Sequence, residues 1–173
     1  MILSFARRRI AAVSAVLLMT IGQPVAAEIA TPTDEVILTV NGAVSTTNSA
    51  DGAEFDMAML QALPASGFDT TTTWTEGMTR FDGVPLKVLL DAVGAKGATV
   101  TATALNNYSV EIPFDVIEDQ VPIIAYHING EPFSRRDKGP LWIVFPYDAG
   151  PDYQTELVYG WSIWQLSGLT VNE

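Results

Sequence analysis

The sequence predicts an α+β domain, mixed β-sheets with a few short helices, over residues 28–173. Three observations lead there. Strand-like, β-branched runs outnumber stretches with helical periodicity. Turn signals rich in Asn and Gly separate those runs at short intervals. A length of 173 residues, less a leader, suits one compact domain.

After a polar lead-in at 28–35, Val36-Ile37-Leu38-Thr39-Val40 reads as a strand that stops at a turn on Asn41-Gly42. Phe55, Met59 and Leu63 recur at helical spacing with Ala58 and Ala62 beside them, and Pro64 closes that helix. Residues 70–82 mix Thr with aromatics and look extended. The clearest helix has Pro85 at its start, Leu86, Leu89, Leu90 and Val93 on one face, and Gly94 at its end. Thr99 to Ala104 and Tyr108 to Ile112 read as strands joined through Asn106-Asn107. Ile123 to Ile128 is an alternating strand running into the hairpin turn Asn129-Gly130. Leu141 to Phe145 has the unbroken apolar character of a central strand, and Ser162 to Val171 supplies the last strands.

The N-terminus carries the marks of export. Arg7, Arg8 and Arg9 precede an apolar run from Ile10 to Ile21, and Val25-Ala26-Ala27 offers small residues for cleavage before Glu28. That run is shorter than the roughly 20 residues a membrane-spanning helix needs. The expectation is a signal peptide at 1–27 and a periplasmic mature chain.

Charge and composition exclude several functions. Nine Lys and Arg stand against 20 Asp and Glu, for a net charge of −11. Without the three leader arginines the mature chain carries −14, with six basic residues. That balance is wrong for a nucleic-acid partner. The absence of cysteine excludes disulfides, thiolate nucleophiles and cysteine-held metals, and a single histidine excludes a multi-imidazole metal site. His127, the one imidazole, sits in a strand just before a tight turn, where a structural role outweighs a catalytic one. The carboxylates Asp148 and Asp152 have no calcium-loop or glycosidase context.

Two groups of residues stand out as binding candidates. Arg135, Arg136 and Lys138 concentrate half of the mature chain's basic residues between Gly130 and Gly139. They read as a solvated loop or as a local positive rim for an anionic or carbonyl-rich ligand. Among the aromatics, Trp74 lies beside a Thr-rich stretch and Tyr147 beside Asp148-Ala149-Gly150. Such placement suits stacking on a flat heterocycle, each contact contributing about 0.5–1.5 kcal/mol beyond burial.

A resemblance sharpens these candidates. Phe81-Asp82-Gly83-Val84-Pro85-Leu86, followed by Leu89-Leu90 and Gly94, resembles the core motif of the sulfite-oxidase-type molybdopterin-binding domain. Asn106-Asn107-Tyr108, Asn129-Gly130-Glu131-Pro132, Gly139-Pro140-Leu141, Pro146 and Trp164-Gln165-Leu166 continue the similarity in order. It spans about residues 36–172 and implies that family's fold. The enzymes of the family hold molybdenum through a cysteine upstream of the G-V-P-L motif. Here that stretch is Thr70-Thr71-Thr72-Thr73-Trp74-Thr75. Leu141-Trp142 stands where an arginine is common, and the acidic segment around Asp148 where a lysine is common.

Residues 72–77, 106–110, 135–142 and 145–148 are similar to a subgroup of small PruR-type periplasmic proteins that bind pterins without molybdenum. The resemblance implies a non-enzymatic protein with a neopterin-type or tetrahydropterin ligand. Its implied partner is the periplasmic domain of a membrane-bound diguanylate cyclase or phosphodiesterase, an output in cyclic-di-GMP signalling and biofilm control. On that basis Trp74 or Tyr147 is expected to stack on the pterin and Asp148 to meet its amino and ring N–H groups. Asn107 and Tyr108 would add polar contacts, and Arg135 or Arg136 would meet the side-chain hydroxyls or the carbonyl. A molybdenum oxidoreductase with unusual ligands and a ligand-independent interaction module are the alternatives.

Overall fold

A computed structural model describes residues 29–134 and 136–173. The expected leader and its cleavage point before Glu28, and the side chain of Arg135, lie outside the described residues. No described helix is long and apolar enough to cross a membrane.

The fold is the expected α+β arrangement, built from two five-stranded sheets. The first sheet has the order β2-β1-β10-β5-β6. Its strands are β1 (Leu38–Gly42), β2 (Ala53–Phe55), β5 (Thr99–Ala104), β6 (Ser109–Pro113) and β10 (Leu166–Asn172). The chain's last strand therefore lies at the centre, parallel to β1 and antiparallel to β5. The second sheet runs β3 (Ser66–Thr70), β4 (Thr79–Pro85), β7 (Ile123–Ile128). On the far side of β7, β8 (Glu131–Pro132) pairs near its end and β9 (Trp142–Val144) along its start. One buried apolar cluster includes residues of both sheets, from Leu38 and Val40 to Val84, Ile123 and Ile143.

Local chemistry explains most boundaries. In β5 the alternation is complete: Val100, Ala102 and Ala104 are buried while the three threonines between them are not. Helix α2 (Leu86–Ala92) buries Leu86, Leu89 and Leu90, with Val93 following. It ends in a Schellman motif: Gly94 takes φ +61°, its N–H donates to Asp91 O, and Ala95 N–H donates to Leu90 O. In β4, a side chain at Gly83 would place its Cβ 2.1 Å from Ile124 O, at the register shift between Asp82 and Gly83 opposite β7.

Five expectations change. Asn41 and Gly42 are not a turn but the end of β1, paired with Thr170 and Val171. The first helix, α1 (Met57–Ala62), begins later than its apolar spacing predicts, because Phe55 belongs to β2 and pairs with Leu38. Asp56 sets that start by capping Met59 N–H at 2.8 Å, while its other oxygen accepts from Thr33 and Asp34 N–H. Those bonds hold its carboxyl below the usual range. Residues 70–82 are extended only at their ends, with a loop over 71–78 between β3 and β4. The run Ile123–Tyr126 is buried at every position instead of alternating, since β7 is covered on both faces. The apolar run at Leu141 to Phe145 yields only the three-residue β9, whose free edge is met by Ile163 O from the C-terminal segment at 2.9 Å from Ile143 N.

Candidate functional site

The loop 71–78 is tied down by threonine hydroxyls. Thr72 Oγ1 accepts from the backbone N–H of Trp74 at 3.0 Å and of Thr75 at 2.9 Å, an ST-turn that fixes where Trp74 leaves the chain. Its hydroxyl also shares a 2.8 Å hydrogen bond with that of Thr75, to which Thr79 donates at 3.2 Å. At the start of the loop, the Asp148 carboxylate accepts from Thr71 N–H at 2.6 Å and from the Thr71 hydroxyl at 2.9 Å. Asp148 N–H returns a bond to Thr70 Oγ1. The two bonds from Thr71 keep the exposed Asp148 carboxyl below the ordinary carboxylate range.

Trp74 then reaches into an aromatic cluster. Its ring makes edge contacts with Trp142, Tyr159, Trp164 and Tyr147, with centroids 5.8, 5.9, 5.9 and 6.1 Å away. Beneath it, Tyr147 is 1% exposed and stacked on Tyr159 at 4.8 Å. The Tyr147 hydroxyl shares a hydrogen bond with that of Ser162, which donates to Val158 O at 3.1 Å. Burial pushes the Tyr147 phenol up to about 12 despite that bond.

Beside this cluster opens a cavity of about 300 Å³. Trp74, Tyr159, Trp164 and Tyr108 supply its aromatic walls, and Asn106, Ser162 and Gln165 its polar groups. Three chain segments meet there: the 71–78 loop, the turn between β5 and β6, and the end of helix α3 (Glu156–Trp161) with the residues after it. Tyr108 and Trp164 are 57% and 38% exposed, so two of the four aromatics stand open to an incoming ligand. Among the described residues, no ionisable carboxylate or cation lines this cavity.

The expected site residues divide accordingly. Trp74 and Tyr108 line the same cavity. Asn107 does not; it holds the β5–β6 turn at φ +65°, and its neighbour Asn106 faces the space instead. Tyr147 lies under the wall, its ring already stacked, and Asp148 anchors the loop from outside the cavity. Arg136 is exposed on the turn after β8 and lines no described cavity. Lys138, at φ +66°, sits with its ammonium 5.8 Å over the Trp142 ring. Tyr159, Ser162 and Trp164 line the cavity too and lie outside the sequence-predicted ligand residues. Their usable clue was the run of aromatics from Tyr159 to Trp164 in a chain segment without a strong period.

Residues 29–152 match the family model described as the oxidoreductase molybdopterin binding domain. The chain belongs to that family. A comparison with curated proteins found no match. The matched stretch ends before α3, so Tyr159, Ser162 and Trp164 come from the part of the chain beyond it.

The family implies a molybdenum-bearing pterin cofactor, and the residues present fit its two parts unequally. Soft thiolate is the metal ligand expected of this family, and the chain contains no cysteine. The loop offers threonine hydroxyls, and those of Thr72 and Thr75 are already engaged with each other and with backbone N–H groups. Among the described residues no three His, Asp or Glu side chains gather as a metal site. These residues do not fit a thiolate-held metal. The aromatic cavity, with neutral hydroxyl and amide groups, does fit a flat pterin ring.

Proposed function

We propose that this protein is an exported, non-enzymatic pterin-binding protein. In this reading it relays pterin levels to the periplasmic domain of a membrane-bound diguanylate cyclase or phosphodiesterase, and so to cyclic-di-GMP signalling and biofilm control. The observation that supports pterin binding is the cavity beside Trp74, with aromatic walls, neutral hydroxyls and amides, and no metal ligand among the described residues. Trp74, Tyr108 and Trp164 would hold the ring by stacking and edge contacts, and Asn106, Ser162 and Gln165 would select its hydrogen-bonding edge. A handful of such contacts is commensurate with micromolar affinity, about −8 kcal/mol.

The ligand is a neopterin-type or tetrahydropterin molecule that is not tightly held. Signalling then requires that the pterin bind the partner-competent form better than the alternative form, since equal affinity shifts nothing. Asp148 enters through the loop: by holding Thr71 it sets the position of Trp74.

A second reading is favoured by the family itself, whose members are usually oxidoreductases. It makes the chain a molybdenum-cofactor enzyme with an atypical ligand set. One experiment separates the two. The purified protein is titrated with neopterin and with a tetrahydropterin, followed by tryptophan fluorescence and calorimetry, and the same sample is assayed for molybdenum. Saturable binding of the free pterin without metal is the expected result. Molybdenum at one per chain would replace this reading with the enzyme. Neither pterin nor metal would leave an interaction module that has kept only the fold.

A further inference from the structure

A second cavity, of about 340 Å³, lies on the other side of α3 and carries different chemistry. Its inner surface is apolar: Phe145 and Val158 are 1% and 6% exposed, and the Trp161 indole tilts against the Phe145 ring with centroids 6.2 Å apart. Its rim holds three carboxylates, Asp115 and Glu118 from one short segment after β6 and Asp152 from the turn before α3. Glu118 accepts a 3.0 Å hydrogen bond from the Tyr153 hydroxyl, which fixes that carboxylate at the rim. Burial and the neighbouring charges of Glu118 and Asp152 raise the Tyr153 phenol, so it stays neutral. Among the described residues, no ion pair engages any of the three; those pairs involve Arg80 and Lys87, which lie on β4 and α2.

We propose that this cavity receives an arginine side chain from a basic segment of a protein partner. Charge complementarity and shape together select that side chain. An anion is repelled by the rim, and a neutral apolar group would strip water from carboxylates without replacing it. A lysine satisfies the charge but presents a compact, strongly hydrated ammonium. Guanidinium is planar and more weakly hydrated, stacks on indole, and offers five N–H donors to carboxylates on several sides. Its methylene stem would lie along Phe145 and Val158 while the head reaches the rim. A protein segment, more than a free small cation, is indicated by Leu157, which lines the same cavity and leaves 68% of its surface exposed. The excess of acidic residues would draw such a segment in from a distance. None of this depends on what the first cavity holds.

The test uses the ¹⁵N-labelled protein and three blocked tripeptides, Gly-Arg-Gly, Gly-Lys-Gly and the neutral arginine isostere Gly-citrulline-Gly. The arginine peptide is expected to give saturable shifts at the Trp161 indole N–H and the amides of Thr155 and Val158, weakened as salt is added. The citrulline peptide should give none, and the lysine peptide shifts with at least several-fold weaker affinity. The Asp115→Asn, Asp152→Asn double variant alters two exposed side chains with no hydrogen bond or ion pair among the described residues. It should keep the folded spectrum and lose the arginine response by tenfold or more. Equal shifts from the citrulline peptide, tighter binding of lysine than arginine, or an unchanged response in the double variant would each overturn the proposal. Concentration-dependent shifts at the same residues without peptide would overturn it in favour of a second copy of the chain.

Discussion

The two cavities flanking α3 are nearly the same size and are both walled by aromatics, yet their polar groups differ in charge. On one side Tyr159 and Gly160 face a space whose polar groups are all neutral. On the other, Leu157, Val158 and Trp161 face a space rimmed by three carboxylates. Helical geometry produces the division: positions 157, 158 and 161 share one side, and 159 and 160 turn to the other. The lesson is that aromatic walls admit a flat or long apolar body, while the class of ligand is set by the few polar groups around it. Neutral amides and hydroxyls suit an uncharged heterocycle; carboxylates suit a cation.

The comparison breaks most severely at Trp74. Trp74→Ala removes four ring contacts at once and opens the first cavity into the cluster behind it. A stability loss of about 2–4 kcal/mol is expected, toward the low end of aromatic truncations because Trp74 is only half-buried. Tetrahydropterin affinity, measured by calorimetry, should fall at least about tenfold, a loss of about 1.4 kcal/mol. The arginine-peptide shifts at Trp161 should persist in the same variant. If both responses vanish together, the two cavities are not separate sites.

Tyr147→Phe tests the support beneath that wall. The variant loses the hydroxyl pair with Ser162, which keeps its bond to Val158 O, so a cost of about 1 kcal/mol is expected near neutral pH. Alkali should reverse the order. The folded-state value of about 12 lies above the ordinary 10.0, so the folded chain holds this proton more tightly than the unfolded chain. That contribution is complete below pH 10 and is lost as pH rises toward 12. It amounts to about 3 kcal/mol at about 1.4 kcal/mol per pH unit. Urea midpoints at pH 8 and pH 11.5 should therefore show wild type ahead at the first and the Phe variant level or ahead at the second.

Asp148 offers a finer probe, because it acts on the loop and not on the ligand directly. Its depressed carboxyl contributes stability above the ordinary carboxylate range, lost as pH falls below about 4 through its folded value. Wild-type protection of the Thr71 amide from hydrogen exchange should fall over that acidic range. In Asp148→Asn it should be low throughout and nearly independent of pH. Pterin affinity in this variant should weaken less than in Trp74→Ala, since the aromatic wall survives with looser placement.

How much of this could be read from the chain depended on how local the cause was. Helix α2 and strand β5 were legible because their apolar spacing, and the glycine that ends α2, are written in consecutive residues. The first helix was displaced because Phe55 happens to lie four residues before Met59, and only its pairing with Leu38 assigns it to a strand. Strand β7 lost its expected alternation for the same kind of reason: what covers its second face comes from elsewhere in the chain. At the site, Trp74 was readable as an aromatic beside a Thr-rich stretch, while Tyr108 as a ligand contact came only from the family resemblance. Tyr147 and Asp148 are adjacent in sequence but part company in a tight turn, one ring going inward and one carboxylate staying at the surface. Helix α3 escaped notice because Glu156-Leu157-Val158-Tyr159-Gly160-Trp161 has apolar residues on both sides, as befits a helix between two cavities.

That position makes the smallest effect the most informative. Tyr159 borders the first cavity and Trp161 the second, two residues apart on a helix of six. A ligand that orders α3 from one side reduces the ordering left for a ligand on the other, which is positive coupling without a large rearrangement. Saturating tetrahydropterin should tighten the arginine-peptide response at Trp161 by about fivefold, the low end of ordinary coupling and near 1 kcal/mol. Thermodynamic reciprocity demands that saturating arginine peptide tighten pterin binding by the same factor. Trp74→Ala should remove the effect of added pterin while leaving the peptide's own affinity in place. Two saturable sites with no mutual effect would show that α3 only separates the cavities, and any relay from pterin to partner would then have to run outside α3, with the segments 70–80 and 132–139 as the candidates.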